Sequence, residues 1–427
     1  SMGGGGGRAP TNDGAATRST ASHSKVWSMR LGGGEKERIG DLKCEEQMAV
    51  LDGGAPRCSS LALHSTQTLL VSASAREELS VWDYKTKQRV NAFANANPAG
   101  SRCTSLMLLE TSTQLLVVGS NEGSVRVWRG WASAGEQQLV GAWQATDRPM
   151  SGTSSSGVAT PQSSSQPTPR DVRNPTHKET RAPDAGLTLR EASSIALCYQ
   201  PVSALLGAVA NTEAVRLWDM AAERCAHELR ADLAEGHTFR SLSADQHSPL
   251  VIAGGSDGVT RALDPRAPPG VAAASFGPFT SKAAVTHTCI QLGAASPWVS
   301  SATAVGDIAL WDLRRPPPGS TSASGASPSA PTSLYHLTSH RSGLSALALH
   351  AHAPLLATGS RNQFIKLFDL HPLRESGTAR ELATIRYFDG FLGARIGPVT
   401  TLAFHPTRVL LAVGATDATI SIYSASS

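Results

Sequence analysis

Leu69-Leu70-Val71-Ser72-Ala73-Ser74, followed by Leu79-Ser80-Val81-Trp82-Asp83, decides the architecture, because the same two-part phrase returns along the chain. Its first half is a short apolar stretch ending in small residues. Its second half is an alternating strand ending in a large residue and often Asp. The phrase recurs as Leu116-Val117-Val118-Gly119-Ser120 to Val125-Arg126-Val127-Trp128, and as Leu206-Gly207-Ala208-Val209-Ala210 to Val215-Arg216-Leu217-Trp218-Asp219. It returns as Val251-Ile252-Ala253-Gly254-Gly255 to Arg261-Ala262-Leu263-Asp264. Three further endings follow: Ile308-Ala309-Leu310-Trp311-Asp312, Ile365-Lys366-Leu367-Phe368-Asp369 and Ile420-Ser421-Ile422-Tyr423.

The large residue therefore stands at 82, 128, 218, 263, 311, 368 and 423, with gaps of 46, 90, 45, 48, 57 and 55. A blade of four antiparallel strands needs roughly 40 to 45 residues, so four gaps fit one blade and two are one blade plus a longer loop. The gap of 90 contains a Ser/Pro/Thr-rich stretch, 150–186, without an alternating apolar pattern. Such a stretch cannot bury enough surface to offset its ordering entropy, so it is read as a disordered insertion. A low-complexity insertion at 314–331 explains the gap of 57. The expected fold is all-β, a seven-bladed WD40-type β-propeller over 24–427, preceded by a disordered tail, 1–23, that carries a cloning remnant in Ser1-Met2. On that reading the chain is a fragment of something longer.

Each phrase is preceded by an innermost strand, as in Leu344 to His350 and Val399 to Pro406. Ser256-Asp257-Gly258 and Asn121-Glu122-Gly123 supply the turns between second and third strands. The last blade has no residues left for its outer strand. That strand is expected from the N-terminal side, with Lys25-Val26-Trp27-Ser28-Met29-Arg30-Leu31 as the candidate, because a closed ring hides the edges of an open sheet.

Composition excludes several function classes. The balance of 38 Lys+Arg against 34 Asp+Glu gives only +4, and no basic stripe interleaved with aromatics occurs, so no nucleic-acid surface is expected. No window approaches eighteen uninterrupted apolar residues, so no transmembrane segment is expected. The six cysteines, Cys44, Cys58, Cys103, Cys198, Cys225 and Cys289, never fall in a C-x-x-C spacing. Cys58 and Cys103 stand at the same phase of consecutive strand motifs and read as small packing residues, and a reducing, intracellular compartment is expected. Gly32-Gly33-Gly34-Glu35-Lys36 lacks the spacing of a phosphate loop, and neither H-E-x-x-H nor G-x-S-x-G appears.

The remaining polar residues recur serially. Asp83, Asp219, Asp264, Asp312 and Asp369 return once per blade and read as strand terminators, alongside Trp82, Trp128, Trp218, Trp311, Phe368 and Tyr423 as the structural repeat positions. His237 and His340 precede innermost strands and read as blade staples, and His350 and His405 repeat one another in phase. A general-acid pair would be unique, so neither catalysis nor a cofactor or metal is expected, and the chain is read as a non-catalytic binder of proteins. Two kinds of unique feature stand out. Tyr387, Phe388, Asp389, Phe391 and Leu392 form a long connection between blades six and seven, a candidate aromatic docking ridge. Thr160, Thr168 and Ser327, each before a proline, are candidate phosphorylation sites in the insertions.

Several of these segments carry a resemblance. Gly359-Ser360-Arg361-Asn362-Gln363-Phe364, the stretch Ile385 to Gly393 with its Tyr387-Phe388-Asp389-Gly390-Phe391 centre, Arg395-Ile396-Gly397 and Leu402-Ala403-Phe404-His405-Pro406 resemble the C-terminal propeller of the Raptor family, scaffold subunits of TOR kinase complexes. Asn95-Ala96-Asn97-Pro98, Ala142-Trp143-Gln144 and Asp264-Pro265-Arg266 extend it, so that it covers roughly 50–424 without the insertions. Ala262-Leu263 departs from it where an aromatic is usual. The resemblance implies a scaffold in TOR complex 1, partnered by TOR-complex proteins through the full-length chain. It also implies a cytoplasmic protein recruited to lysosomal or vacuolar membranes, with a protease-like domain and a helical solenoid elsewhere in the whole protein. The rival reading shares only the repeat: a general WD adaptor in ubiquitin ligation or trafficking.

Overall fold

Seven inter-blade seams, not one central core, hold the molecule together. The computed structural model describes residues 43–426 except 55–56, 76, 99, 111–113, 148–193, 278, 280, 292–297, 314–334, 341–342, 374–376 and 387–396. Its twenty-eight described strands form seven four-stranded antiparallel sheets. Blade 1 is β2 (Cys58–Leu63), β3 (Leu69–Ser74), β4 (Glu78–Asp83) and β5 (Gln88–Ala94). Blades 2 to 6 take β6 to β25 four at a time, in chain order.

Strand chemistry follows radial position. Second strands lie between two neighbouring blades and are buried on both faces, so they read as continuous small or apolar runs: Leu205–Val209 (β11), Val251–Gly255 (β15) and Leu410–Ala415 (β27) are buried throughout. Outermost strands meet solvent and alternate, as in β5 and in Arg380–Arg386 (β25), where Ala383 and Ile385 point inward. Each hydrophobic cluster spans one seam. Leu79 and Val81 of blade 1 pack with Leu106, Leu116 and Trp128 of blade 2, and Leu367 of blade 6 packs with Val399, Leu411 and Tyr423 of blade 7. Blades approach closely at glycines. A Cβ on Gly254 would stand 2.6 Å from Val285 Cγ1, and one on Gly359 would stand 2.6 Å from Val399 Cγ1, in each case the first residue of the next inner strand.

Blade 7 is β26 (Val399–Phe404), β27 and β28 (Thr419–Ser426), completed by β1 (Lys43–Asp52). β1 runs antiparallel to β28 from Lys43↔Ser426 to Asp52↔Thr419. The strand that closes the ring is thus Lys43–Asp52 and not Lys25 to Leu31, which lie outside the described residues. Ala49 and Leu51 enter the seam between blades 7 and 1 beside Leu70, Trp82, Ile420 and Ile422, and this burial fixes the closure. Blade 4 is the thinnest: its outer strand β17 has three residues, Ala274–Phe276, and Leu263 is buried where other blades place an aromatic.

Because the four strands of a blade alternate in direction, the ring has two unlike ends. At the entry face each inner strand begins, second and third strands are joined, and one blade passes to the next. At the exit face lie the turns between first and second strands and between third and fourth.

Candidate functional site

The repeat residues do structural work at both ends. Asp83 Oδ1 accepts from the backbone N–H groups of Lys85 at 2.9 Å and Thr86 at 3.4 Å, Asp219 Oδ1 from Ala221 and Ala222 at 3.0 and 3.1 Å, and Asp369 Oδ1 from His371 at 2.8 Å. Asp264 also holds the Arg266 guanidinium, which keeps its carboxyl below the usual carboxylate range. Asp312 ends the third strand of blade 5 in the same way, Asp307–Asp312 being β20. Trp82 and Trp311 donate through Nε1 to Ser72 Oγ at 3.0 Å and Ser301 Oγ at 3.2 Å in their own blades. Trp128 and Trp218 instead reach back to the preceding blade, to Asn95 Oδ1 at 2.8 Å and the Ala145 carbonyl at 3.0 Å. Phe368 and Tyr423 are buried without such a bond to another side chain in the same position.

On the exit face a polar belt runs round the ring. It is formed by His64, Glu110, Gln200, Asp245, Gln291, His350 and His405, each at or just after the end of an inner strand. His350 Nδ1 accepts from the backbone N–H groups of His352 and Ala353 at 3.1 and 2.9 Å, so Nε2 carries the proton and donates to the Arg408 carbonyl of the next blade at 3.0 Å. His64 and His405 accept the same pair of turn amides. Gln200 and Gln291 reach the next blade through Nε2, to the Asp245 and Ala353 carbonyls at 2.9 and 2.8 Å. Glu110 takes the Ser65 N–H of blade 1 at 2.6 Å, and Thr407 Oγ1 donates to the Ser65 carbonyl at 3.3 Å. Burial holds the His350 and His405 pKa values down at about 4. Sequence reasoning saw His350 and His405 and missed the rest. The signal was available: the belt residue stands eighteen positions ahead of the large repeat residue in six blades and twenty ahead in blade 5.

On the entry face, His237 Nδ1 lies 3.0 Å from Ser256 Oγ, and His340 Nε2 lies 2.9 Å from Thr358 Oγ1. Both link a blade-to-blade connection to a second strand or its turn. The central channel opens here into a cavity of about 560 Å³, to which every blade contributes. Among the described residues that line it are Arg57, Arg102, Arg240 and Arg361, and no described Asp or Glu is among them. Composition did not reveal this concentration, because the four residues come from four blades at different positions in the repeat.

Tyr387, Phe388, Asp389, Phe391 and Leu392, which fall in sequence between β25 and β26, lie outside the described residues. Thr160 and Thr168, between β9 (Gln138–Gln144) and β10 (Ala196–Gln200), and Ser327, between β20 and β21 (Tyr335–Thr338), also lie outside them. Among the described residues no group of three or more His, Cys, Asp or Glu could hold a metal ion, and no helix is long and apolar enough to cross a membrane.

Comparison with known proteins agrees with this architecture. The family described as WD domain, G-beta repeat matches residues 331–369 and 391–424. The chain is 29% identical over 371 residues to the Protein raptor homolog of Dictyostelium discoideum, covering 86% of this chain and 21% of that protein. It is 31% identical over 364 residues to the Regulatory-associated protein of TOR 1 of Arabidopsis thaliana, covering 85% of this chain and 22% of that protein. The crystal structure of Chaetomium thermophilum Raptor superposes with a TM-score of 0.67 at 24% identity, over 89% of this chain and 29% of that one, a likeness of fold. The chain thus spans about a fifth of the length of the curated relatives it matches. It is a seven-bladed WD40 propeller whose sequence matches the Raptor proteins along most of its length.

Proposed function

We propose that the chain is the non-catalytic scaffold propeller of a TOR complex 1 regulatory subunit. It supports assembly of the complex and nutrient-dependent TOR signalling, and the full-length protein is cytoplasmic with recruitment to lysosomal or vacuolar membranes. The observation that carries this reading is the match to Raptor proteins over 85 and 86% of the chain, far beyond the two stretches that the general repeat accounts for. Chemistry supports it from the other side. The titratable residues recur blade by blade in turn-capping and seam-bridging roles, and such serial placement is suited to rigidity, not to a converging acid and base. A rigid ring presents surfaces without paying ordering entropy when a partner arrives.

The Tyr387, Phe388, Asp389, Phe391 and Leu392 connection serves in this reading as an aromatic docking ridge, and Thr160, Thr168 and Ser327 as phosphate acceptors. The test is purification of the native full-length protein with its partners identified by mass spectrometry, repeated with Tyr387→Ala and Phe391→Ala. Recovery of a TOR-type kinase is the expected result, with partners reduced in the alanine variant at unchanged melting temperature. Reproducible enrichment of a different complex without that kinase would replace this reading with the general WD adaptor.

A further inference from the structure

Each blade ends in an outer strand whose far edge pairs with no other strand, and the chain protects these edges unequally. Among the described outer strands, β17 and β21 are only three and four residues long. β1, β5, β13 (Arg224–Arg230) and β25 are longer; each carries at least one Lys, Arg, Asp or Glu, and each shifts register against its neighbour in the blade. Shortness, charge and bulges all discourage one sheet edge from pairing with another. β9 has seven residues, Gln138-Leu139-Val140-Gly141-Ala142-Trp143-Gln144, and none is charged. Of these devices it keeps only the bulge, where Val140 has no partner in β8 (Ser124–Arg129).

Exposure follows the same exception. Leu139 and Val140, adjacent on the strand, are 43% and 46% exposed, and Gln138, Ala142 and Gln144 are exposed as well. One point of the edge is covered: the Ala142 N–H donates to Glu223 Oε1 of blade 3 at 3.2 Å, and a Cβ on Gly141 would stand 2.9 Å from the same oxygen. Glu223 is itself exposed, so this carboxylate can return to solvent when a backbone carbonyl takes its place. The strand is also symmetric in residue class about Gly141. Laid antiparallel on a copy of itself with the two Gly141 residues opposite, it sets Gln138 against Gln144, Leu139 against Trp143 and Val140 against Ala142. Within that strand pair amide meets amide, apolar meets apolar, and no like charges face each other.

We propose that the β9 edge pairs with the β9 edge of a second copy of this chain, joining two blade-2 sheets into one continuous sheet across a two-fold axis. The symmetry about Gly141 favours a second copy over a strand of another protein, because a two-fold pairing demands a self-complementary strand and pairing with a different sequence does not. A single strand pair buries less surface than a standard interface of ~1,600 Å², so a dissociation constant of about 1–100 µM is expected. The inference stands independently of the scaffold reading.

The test is analytical ultracentrifugation of the reduced 427-residue chain from about 1 to about 200 µM. The expected result is a rise in average mass from one chain towards two. L139K/V140K, which places charge on two exposed positions of the edge, should weaken association about tenfold or more. V90K/V202K, with the same charge change at exposed valines of blades 1 and 3, should leave it within about twofold. Melting curves of both variants confirm the fold. Hydrogen exchange on the unsubstituted chain locates the contact without any variant: the β9 amides should slow as concentration rises, and those of β5 should not. A chain that stays monomeric throughout overturns the proposal and leaves the edge to an extended segment of another protein. Equal weakening in the two variants, or slowed exchange confined to a different strand, overturns it as well.

Discussion

The two ends of the ring are built from the same strands and differ in kind. At the exit face, seven equivalent positions carry His, Glu, Gln, Asp, Gln, His and His, each placed to cap its own turn or to bridge to a neighbouring blade. At the entry face, four arginines occupy three different positions of the repeat and point charge at one opening. Serial chemistry spread round a ring stabilises that ring, whereas chemistry that breaks the repeat at one place has no such reason to be there. Comparing the ends therefore separates residues that recur to hold the blades from residues that break the repeat.

The division can be broken experimentally. Removing residues 1–52 takes away β1 and the Ala49 and Leu51 contribution to the last seam, leaving the edge of β28 unpaired. The melting temperature should fall by about 10 °C or more, or the cooperative transition should disappear. A change under about 2 °C would mean that the ring is held without this closure. Next in size is Trp311→Ala. Trp311 is 5% exposed, packs on Phe276 of blade 4 with ring centroids 5.5 Å apart, and anchors Ser301, so the loss should be about 3–5 kcal/mol in a denaturant titration.

The belt gives a finer test. His350→Ala leaves the His352 and Ala353 amides and the Arg408 carbonyl without their partner, a loss of about 1–3 kcal/mol. His350→Gln supplies the acceptor and donor that Gln200 uses in blade 3 and should cost less than half as much. The pH dependence follows from the same geometry. His287, His340, His350 and His405 have pKa values near 4 in the folded chain against an ordinary 6.5. Below pH 6.5 the unfolded chain takes up protons that the folded chain refuses until about pH 4, so stability falls as pH falls through that window. His350→Gln should flatten this slope by up to about 1.4 kcal/mol per pH unit, and an unchanged slope would show that His350 does not titrate with unfolding.

Legibility in the sequence tracked how strictly residue type follows role. The third-strand phrase was readable because a large residue at its end fills a seam every time, even as Leu263. The closing strand was misplaced because the pairing of β1 with β28 shifts register between Lys43 and Glu46 and again between Gln47 and Ala49. Each shift breaks the alternation by which a strand is recognised. Lys25 to Leu31 keeps a cleaner alternation. Belt residues were half visible because an imidazole, an amide and a carboxylate can all accept from turn amides, so identity varies while the role does not. The arginine mouth was invisible because nothing in the linear order brings residues 57, 102, 240 and 361 together; only the curvature of the ring does.

The pairing of β1 with β28 also constrains the order of assembly. Val50 and Ser421 are neighbours across the sheet although 371 positions separate them in the chain. Bringing such distant segments together from a flexible chain costs about 2 kcal/mol more in loop entropy than joining the ends of one blade. Adjacent blades that dock first shorten that search. During synthesis the ring cannot close until the ribosome has released β28, and until then β1 has no edge to join. Two nascent copies side by side present identical unpaired edges, so the latch that completes one ring is also the segment through which two rings could exchange strands.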